Sequence, residues 1–324
     1  MRRVLVTGGA GFIGSHLVER LLADEAAVTV LDNLSTGSRE NVGSHATFVE
    51  GDVGDRALVA EVVADGGFDA VLHIAGQASI RLSFAEPEVD LRTNVVGTVN
   101  VLRACVEAGV PRLVNASSMT AYGEPDVIPT PEDVACVPVS YYGVTKYAAE
   151  RYAHVTGARP DVDLAVTSLR MFNVYGPRQS IGNPYQGVLA IFIGNVLRGE
   201  PITIHGDGSQ TRDFVFVDDV VDAWMRIADD ATGDGAVLNV GSGVETSVNE
   251  LADAVLAAFG ESRESWEIRH ENVQLGDQRR ACARLDAIES HGWRPTVNLL
   301  DGVAQTVAWA RGVQGPLRGA DLHP

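Results

Sequence analysis

Lysine is almost absent from this chain of 324 residues. Its 25 basic side chains include one lysine, Lys146, and the rest are arginines, against 43 aspartates and glutamates. A shift from lysine to arginine fits a GC-rich genome and a high-salt habitat equally well. Arginine is a planar fork that stays charged, whereas lysine is a compact ammonium whose pKa can be moved. We therefore expect position 146 to need a property that arginine lacks.

Basic stripes, long apolar runs and paired cysteines are also missing. The net charge of −18 and the pI near 4.7 argue against a nucleic-acid partner, because phosphate binding needs clustered positive charge. No apolar run reaches the ~18 residues of a membrane span, and no signal-peptide core precedes the first strand, so we expect no membrane partner. Cys105, Cys136 and Cys282 lack metal or redox spacing. The sequence therefore predicts a reduced, cytoplasmic protein without a metal site.

Short apolar runs alternate with amphipathic stretches in the first half of the chain. Strands that alternate with helices are typical of βαβ units and a parallel sheet. We therefore predict an α/β fold with a doubly wound parallel (Rossmann) sheet. The predicted strands are Val4–Thr7, Ala27–Leu31, Thr47–Val49, Ala70–Ile74, Leu113–Ala116 and Leu164–Leu169, and the predicted helices are Ile13–Ala23, Arg56–Ala64, Val89–Ala108 and Tyr142–Thr156.

The alternation loosens after Pro177. We predict a Rossmann domain over residues 1–178 with later returns near 209–240, a smaller C-terminal substrate-binding lobe over 179–311, and a tail over 312–324. The elements predicted in the lobe are a loop at Gly182-Asn183-Pro184, helices near Val188–Leu197, Val248–Phe259 and Val303–Ala310, and a strand at Ile202–Ile204.

A glycine motif follows the first predicted strand and opens the first predicted helix. Gly8, Gly11 and Gly14 permit a tight turn, close approach of the backbone to a pyrophosphate, and close packing of the helix on the sheet. The free N–H groups and the positive end of the helix then face the phosphates. This order of strand, glycines and helix predicts a dinucleotide site.

An acidic residue completes the dinucleotide motif. Asp32 ends the second predicted strand, where its carboxylate can accept hydrogen bonds from both hydroxyls of the adenosine ribose. The same charge would repel a 2′-phosphate, and no arginine adjoins it, so the sequence favours NAD over NADP. Asp52 and Val53 follow the third predicted strand and are placed to meet the adenine edge.

Tyr142 and Lys146 form a candidate catalytic pair. Positions i and i+4 share one face of a helix, so the Lys146 ammonium can lie beside the Tyr142 ring. A fixed positive charge lowers the pKa of a phenol from its usual ~10 towards neutrality, as a general base requires. We therefore predict that Tyr142 is the base and that Lys146 activates it.

With these residues the chain resembles the extended short-chain dehydrogenase/reductase family, and within it the nucleotide-sugar 4-epimerases of UDP-glucose 4-epimerase type. The resemblance runs from Val4 to about Val303. The motifs that carry it are TGGAGFIGSH at 7–16, LDNLSTG at 31–37, LHIAGQAS at 72–79, TNVVGTVNVL at 93–102, NASSMTAYGE at 115–124, YYGVTK at 141–146, LRMFNVYGPRQ at 169–179, GDGSQTRDFVFVDDVVDA at 206–223 and HGWRP at 291–295.

The resemblance implies NAD as cofactor, a UDP-sugar as substrate and a role for each matching residue. Ser118 would hydrogen-bond the sugar O4, Tyr142 would be the base, and Lys146 would hold the nicotinamide ribose. Motif and resemblance together place at the cofactor Gly8, Gly11, Phe12, Ile13, Gly14, Asp32, Asn33, Ser35, Thr36, Gly37, Asp52, Val53, Ile74, Ala75, Gly76, Gln77, Asn94, Tyr142, Lys146 and Phe172. At the substrate, the resemblance implies Ser118 beside the sugar. It implies Asn173 and Arg212 at the diphosphate, Gly187, Val188 and His205 around the uracil, and Asp277 as a further substrate residue.

The resemblance also implies a homodimer. In the family, the helices that match Val89–Ala108 and Tyr142–Thr156 pair across a two-fold axis into a four-helix bundle. Both stretches carry more apolar residues than one sheet contact would use, namely Val95, Val99, Leu102, Tyr147, Ala148 and Tyr152.

Two departures from the family pattern bear on the substrate. Many of these epimerases carry a phosphate-binding arginine where this chain has Gln274, so either Arg279 or Arg280 compensates or the diphosphate is held less tightly. The related 4,6-dehydratases and decarboxylases carry a glutamate at the position of Thr120, which their chemistry at C5 and C6 requires. The absence of that acid favours epimerisation.

The sequence therefore predicts NAD-dependent 4-epimerisation of a UDP-hexose (UDP-glucose and UDP-galactose, and N-acetyl forms if the small Ala281 opens the site) through a 4-keto intermediate. One alternative is a UDP-glucuronate 4-epimerase, which Arg81 favours and Asn173 disfavours. The other is a non-catalytic NAD-binding regulator, which retention of the only lysine disfavours.

Overall fold

The computed structural model describes residues 2–181, 187–273 and 278–313. The strands in these ranges are β1 (Arg3–Thr7), β2 (Ala27–Asp32), β3 (Thr47–Glu50), β4 (Ala70–His73), β5 (Arg112–Ser118), β6 (Ala165–Met171), β7 (Asn173–Tyr175), β8 (Ile202–His205), β9 (Thr211–Arg212), β10 (Phe214–Phe216), β11 (Val237–Val240), β12 (Thr246–Ser247) and β13 (Ile268–Glu271).

The helices complete the same ranges. They are α1 (Phe12–Ala23), α2 (Arg56–Gly66), α3 (Ile80–Ala85), α4 (Pro87–Leu91), α5 (Gly97–Ala108), α6 (Tyr141–Gly157), α7 (Val188–Arg198), α8 (Val217–Asp229), α9 (Val248–Phe259), α10 (Asp286–Ser290) and α11 (Leu299–Val313). Short 3₁₀ turns lie at Arg39–Asn41, Met119–Ala121 and Ala231–Gly233, and a π-helical turn joins α4 to α5 at Arg92–Val96.

The central sheet has seven parallel strands in the order β11-β6-β5-β4-β1-β2-β3. The chain therefore winds outwards from β1 in one direction and from β4 in the other, which confirms the predicted doubly wound α/β fold. The winding reverses between β1 and β4, where Thr7 is in register with both Leu31 and His73. A crevice forms at the carboxyl ends of the strands at such a switch point, and ligands bind there.

Alternating side chains of β1 reach the two faces of the sheet. Val4 and Val6 are fully buried in a cluster with α1 and α8, including Trp224. Leu5 is fully buried in a second cluster on the opposite face, with α2 and α5. A strand that is apolar on both faces is what a parallel sheet covered by two helical layers requires.

The part of the chain after β7 has a third apolar cluster of its own, built from α7, α9, α11, β8 and β10. Asp219 links it to the sheet, since this α8 residue accepts hydrogen bonds from the backbone of Thr296 and Val297, both at 3.0 Å. The domain boundary predicted after residue 178 stays a prediction. No helix in the described ranges is long and apolar enough to cross a membrane.

Two predicted elements differ in the structure. The continuous helix predicted over Val89–Ala108 is wrong in its middle, where the backbone widens into the π turn at Arg92–Val96. The return near 209–240 supplies α8 and the seventh strand, β11, which the sequence pattern does not assign. A run of four residues such as Val237–Val240, of which the last three are buried, carries too little alternation to be recognised as a strand by itself.

Candidate active site

The glycine turn lies at the carboxyl end of β1. Gly8 has a φ of +72°, and a Cβ atom there would lie 2.7 Å from the backbone nitrogen of Ala75. A Cβ atom on Gly14 would overlap the carbonyl oxygen of Gly8. Gly11 caps α1 without a side-chain hydrogen bond, which leaves the first N–H groups of the helix to a ligand. The turn therefore fits the predicted pyrophosphate cradle.

Asp32 lies at the rim of the glycine turn. Its two carboxylate oxygens accept hydrogen bonds from the backbone N–H groups of Ala10, at 2.9 Å, and Leu34, at 2.8 Å. Each oxygen keeps a further lone pair, so the fixed carboxylate can still accept the ribose hydroxyls. The glycine turn that is predicted to bind the pyrophosphate thus also helps to fix the Asp32 carboxylate.

The remaining residues predicted for the adenosine half lie around Asp32. Gly37 packs against the turn, since a Cβ atom there would lie 2.6 Å from the Ala10 carbonyl. Asn33 donates a 2.9 Å hydrogen bond to Asp52, and the carbonyl of Val53 accepts one of 2.9 Å from Asn100. Ser35 and Thr36 are exposed, and Phe12 and Ile13 are partly buried at the start of α1.

The segment after β4 meets α6 beside the π turn. A Cβ atom on Gly76 would lie 3.7 Å from Nζ of Lys146 and 3.0 Å from Oδ1 of Asn94. The backbone N–H of Gln77 donates a 2.8 Å hydrogen bond to the same Oδ1. Ile74 and Ala75 donate their backbone N–H groups to the carbonyl of Thr7 at the end of β1. The structure thus brings Lys146, which is predicted at the nicotinamide ribose, together with Asn94 and the segment after β4, which are predicted at the cofactor.

Ser118 and Tyr142 face each other across the crevice. Ser118 ends β5, where its hydroxyl oxygen accepts hydrogen bonds from the hydroxyl and the backbone N–H of Thr120, at 2.9 and 3.2 Å. With its oxygen occupied in this way, Ser118 has its own proton left to donate, and hydrogen bonding by Ser118 lowers the pKa of Tyr142. Ser140 caps α6 by accepting from the N–H of Gly143 at 3.1 Å, which fixes the first turn that carries Tyr142.

Burial has the largest effect on the pKa values of Tyr142 and Lys146. Desolvation raises the pKa of Tyr142 to about 12; the hydrogen bond with Ser118 opposes this shift and the charge of Asp90 adds to it. Desolvation lowers the pKa of Lys146 to about 8, against the attraction of Asp90 and Glu150. The prediction that Lys146 brings the pKa of the Tyr142 phenol towards neutrality is therefore wrong for the protein without its cofactor. Desolvation of the phenolate outweighs the effect of the protein's charged and hydrogen-bonding groups.

The residues predicted at the diphosphate lie on two short strands, β7 and β9, which pair with β10 and β12 respectively. Asn173 begins β7 and is in register with Phe214 of β10, two residues after Arg212. The side-chain oxygen of Asn173 is buried and has no hydrogen-bond partner among the described residues. Arg212 is also buried, and its guanidinium donates a 2.7 Å hydrogen bond to the carbonyl of Thr211. Phe172, which is predicted at the cofactor, is buried immediately before Asn173.

The predicted uracil residues come from two elements. Gly187 caps α7, which begins at Val188. His205 ends β8; its carbonyl accepts a 2.7 Å hydrogen bond from Gln210, which precedes Arg212 by two residues. Asp277 lies outside the described residues, as do Gln274 and the loop predicted at 182–184.

The two arginines considered as substitutes for the missing phosphate-binding arginine have different partners. Arg280 forms a bidentate pair with Glu245, at 2.6 and 2.9 Å, on the surface. Arg279 is exposed, its charge helps to lower the pKa of Asp207, and its backbone N–H donates to the carboxylate of Glu124 at 3.1 Å. A phosphate-binding role for either arginine stays a prediction.

Sequence reasoning passed over Asp90 and Thr145, which the structure places beside Lys146. The Thr145 hydroxyl donates a 2.6 Å hydrogen bond to Asp90, and Asn94 donates one of 3.0 Å to the same carboxylate. The available signal was the spacing of four residues between Asp90 and Asn94, which places both on one face of a helix.

The comparisons with known proteins agree with this geometry. Residues 4–241 match the NAD dependent epimerase/dehydratase family. The chain belongs to this family, and its cofactor is NAD. The UDP-glucose 4-epimerase of Mycolicibacterium smegmatis is 44% identical over 320 residues, which cover 95% of this chain and 98% of that protein.

Two solved structures extend the comparison. The UDP-glucose 4-epimerase of Thermotoga maritima with UDP-glucose has a TM-score of 0.91 and 38% identity, over 96% of this chain and 99% of that one. MoeE5 in complex with UDP-glucuronic acid and NAD has a TM-score of 0.87 and 36% identity, over 96% and 100%. These likenesses confirm the family that the sequence motifs predict.

We predict that Gly14→Ala weakens NAD binding by ~10-fold or more, the effect of about 1.4 kcal/mol. The added methyl would overlap the Gly8 carbonyl and displace the turn that faces the phosphates. NAD content of the purified protein and titration calorimetry measure the effect. Gly312→Ala is the control, because nothing lies within 4 Å of a Cβ at that position in α11. Equal NAD affinity of the two variants would contradict the cradle.

Proposed function

We propose that the protein interconverts UDP-glucose and UDP-galactose by NAD-dependent 4-epimerisation through a 4-keto sugar. The observations that carry this proposal are that Lys146 lies beside Gly76, after β4, and that Ser118, at the end of β5, lowers the pKa of Tyr142, one helical turn before Lys146 on α6. The glycine turn and Asp32 fit NAD, and the similarity to UDP-glucose 4-epimerases along the whole chain supports a UDP-hexose.

In the proposed reaction Tyr142 removes the proton of the C4 hydroxyl, while Ser118 donates a hydrogen bond to the developing charge. NAD, when bound, supplies the hydride acceptor, and its positive nicotinamide ring offsets the desolvation that raises the pKa of Tyr142. Lys146 holds the nicotinamide ribose. Asn173 and Arg212 bind the diphosphate, so the hexose can turn over and take the hydride back on its other face.

A UDP-glucuronate 4-epimerase is the second candidate. The likeness to MoeE5 with UDP-glucuronic acid supports it, as does Arg81 on α3 after the cofactor segment. Asn173 stands against it, because enzymes with that activity often carry threonine there. Turnover of UDP-glucose compared with UDP-glucuronate by the same preparation, with its bound NAD measured, separates the two and also tests the non-catalytic alternative.

We also propose a reduced cytoplasmic setting and a homodimer. The three cysteines are free, which fits a reducing compartment. An apolar surface lies on neighbouring helices: Val96 of the π turn is 43% exposed, and Tyr152 and Val155 of α6 are 53% and 58% exposed. Exposed apolar patches of this kind mark association surfaces. Leu102, expected at this surface, is instead buried in the core.

We predict that Tyr142→Phe lowers kcat by ~10²–10⁴, the usual contribution of a general base. Only the ionisable oxygen is lost, so the fold and the NAD content should stay as in the wild type. A coupled UDP-galactose assay and the NAD content measure both. Lys146→Arg should also be severely impaired although its charge is kept. A Tyr142→Phe enzyme within a few fold of the wild-type rate would overturn the assignment.

We predict that the protein is a dimer in solution at micromolar concentration. Light scattering should give twice the chain mass of 34.4 kDa. Val155→Asp places a charge in the apolar surface and should yield monomers. Val244→Asp is the control, because that valine is 60% exposed far along the chain, next to Glu245. A monomer mass for the wild type, or equal dissociation by both variants, would contradict this interface.

We predict that UDP-GlcNAc is accepted beside UDP-glucose and that Ala281→Tyr suppresses the N-acetyl substrate selectively, by ~10-fold or more. In those family enzymes that exclude N-acetylhexosamines, a bulky tyrosine at this position closes the wall beside C2 of the sugar. Ala281 is buried in one apolar cluster with Phe172 and with Met119, the residue that follows Ser118. A small residue at this position removes a steric clash with the N-acetyl group but adds no affinity for it. Equal losses of kcat/KM on both substrates would show that Ala281 is not the gate.

A further inference from the structure

Asp90 is a fully buried acid that the proposed mechanism does not use. It lies in the last turn of α4, directly before the π turn. One carboxylate oxygen accepts hydrogen bonds from Nε2 of Gln77, at 2.7 Å, and from Nδ2 of Asn94, at 3.0 Å. The other accepts from the hydroxyl of Thr145 at 2.6 Å. A single carboxylate thus joins the segment after β4, the π turn and α6.

The charge of Lys146 attracts that of Asp90 although no salt bridge joins the two side chains. A buried carboxylate costs several kcal/mol unless a cation and hydrogen bonds compensate it. The other acid near Lys146 is Glu150, which is neutralised by a bidentate pair with Arg170 at 2.6 and 2.9 Å. His73 is buried in the same region, and burial lowers its pKa to about 3, so it carries no charge at neutral pH.

We propose that Asp90 is a positioning residue that holds Lys146 as the ammonium and fixes Gln77, Asn94 and Thr145 beside the nicotinamide half of the cofactor. This inference rests on the proposed function for its effect on turnover. The π turn supports it, because such turns frequently occur at functional sites, and here the turn places Asn94 between the carboxylate and Gly76. Asp90 therefore acts through Lys146 and Asn94 and does not touch the sugar.

The sign of the expected pH effect follows from the charges that face Asp90. Its attraction raises the pKa of Lys146, and its repulsion raises the pKa of Tyr142. Removal of the negative charge therefore lowers both. The acidic limb of the pH–rate profile, where Tyr142 loses its proton, and the basic limb, where Lys146 does, should both move to lower pH in Asp90→Asn. Loss of a merely structural contact would lower the rate and leave both limbs in place.

The single lysine allows a direct test. Protein grown on lysine labelled with ¹³C at Cε shows one lysine resonance, whose shift reports the protonation of Lys146. In Asp90→Asn its midpoint should fall by about 1 pH unit, the low end for loss of a nearby opposite charge. Asp90→Glu keeps the charge and should keep the midpoint within a few tenths of a pH unit, although the moved carboxylate should lower kcat.

Asp219→Asn is the matched control, since this buried acid also accepts hydrogen bonds from three groups, the backbone of Thr296 and Val297 and the Thr296 hydroxyl. In this variant the midpoint of the Lys146 resonance and the pH–rate profile should equal those of the wild type. If Asp90→Asn does not fold, Asp90→Ser replaces it. An unchanged Lys146 midpoint in a folded neutral variant overturns the proposal. Because the resonance needs no turnover, a failed epimerase assay contradicts the proposed function alone.

Discussion

The contact between the glycine turn and the backbone after β4 is the constraint on which the candidate site depends. Thr7 accepts the N–H groups of Ile74 and Ala75, and Gly8 leaves no space for a Cβ beside Ala75. This contact fixes the width of the crevice at the switch point. It also sets the pyrophosphate cradle on β1 at a defined place relative to Gly76, which lies against α6. In the proposed function, a cofactor held at the turn would have its nicotinamide end directed to Tyr142 and Lys146.

The catalytic end is organised by desolvation. Burial raises the pKa of Tyr142 to about 12 and lowers that of Lys146 to about 8, so each group is pushed towards its neutral form. In the proposed reaction the positive nicotinamide ring would oppose this rise in the pKa of Tyr142, which would tie proton removal to the presence of the hydride acceptor. The Asp90 carboxylate then has a distinct part, because it opposes the loss of the ammonium on Lys146.

Lysine rather than arginine at position 146 follows from the same surroundings. Gly76 and Asn94 approach the ammonium so closely that a Cβ on Gly76 would stand 3.7 Å from Nζ. A planar guanidinium is broader and needs several hydrogen-bond acceptors in its plane. The buried Arg170 has such acceptors in Glu150, one helical turn further along α6. Lys146 of α6 and Arg170 of β6 thus occupy sites of different shape.

The sequence by itself determined the doubly wound fold, the family and the cofactor, because these depend on local signals: alternating strands and helices, glycines that open a helix, and Asp32 at a strand end. It also predicted Ser118, Tyr142 and Lys146 as a set. Only the tertiary structure decided how Asp90 is partnered, because its partners Gln77 and Thr145 are far apart in the chain. The direction of the Tyr142 pKa shift and the burial of Leu102 were likewise decided by packing, which a local pattern does not record.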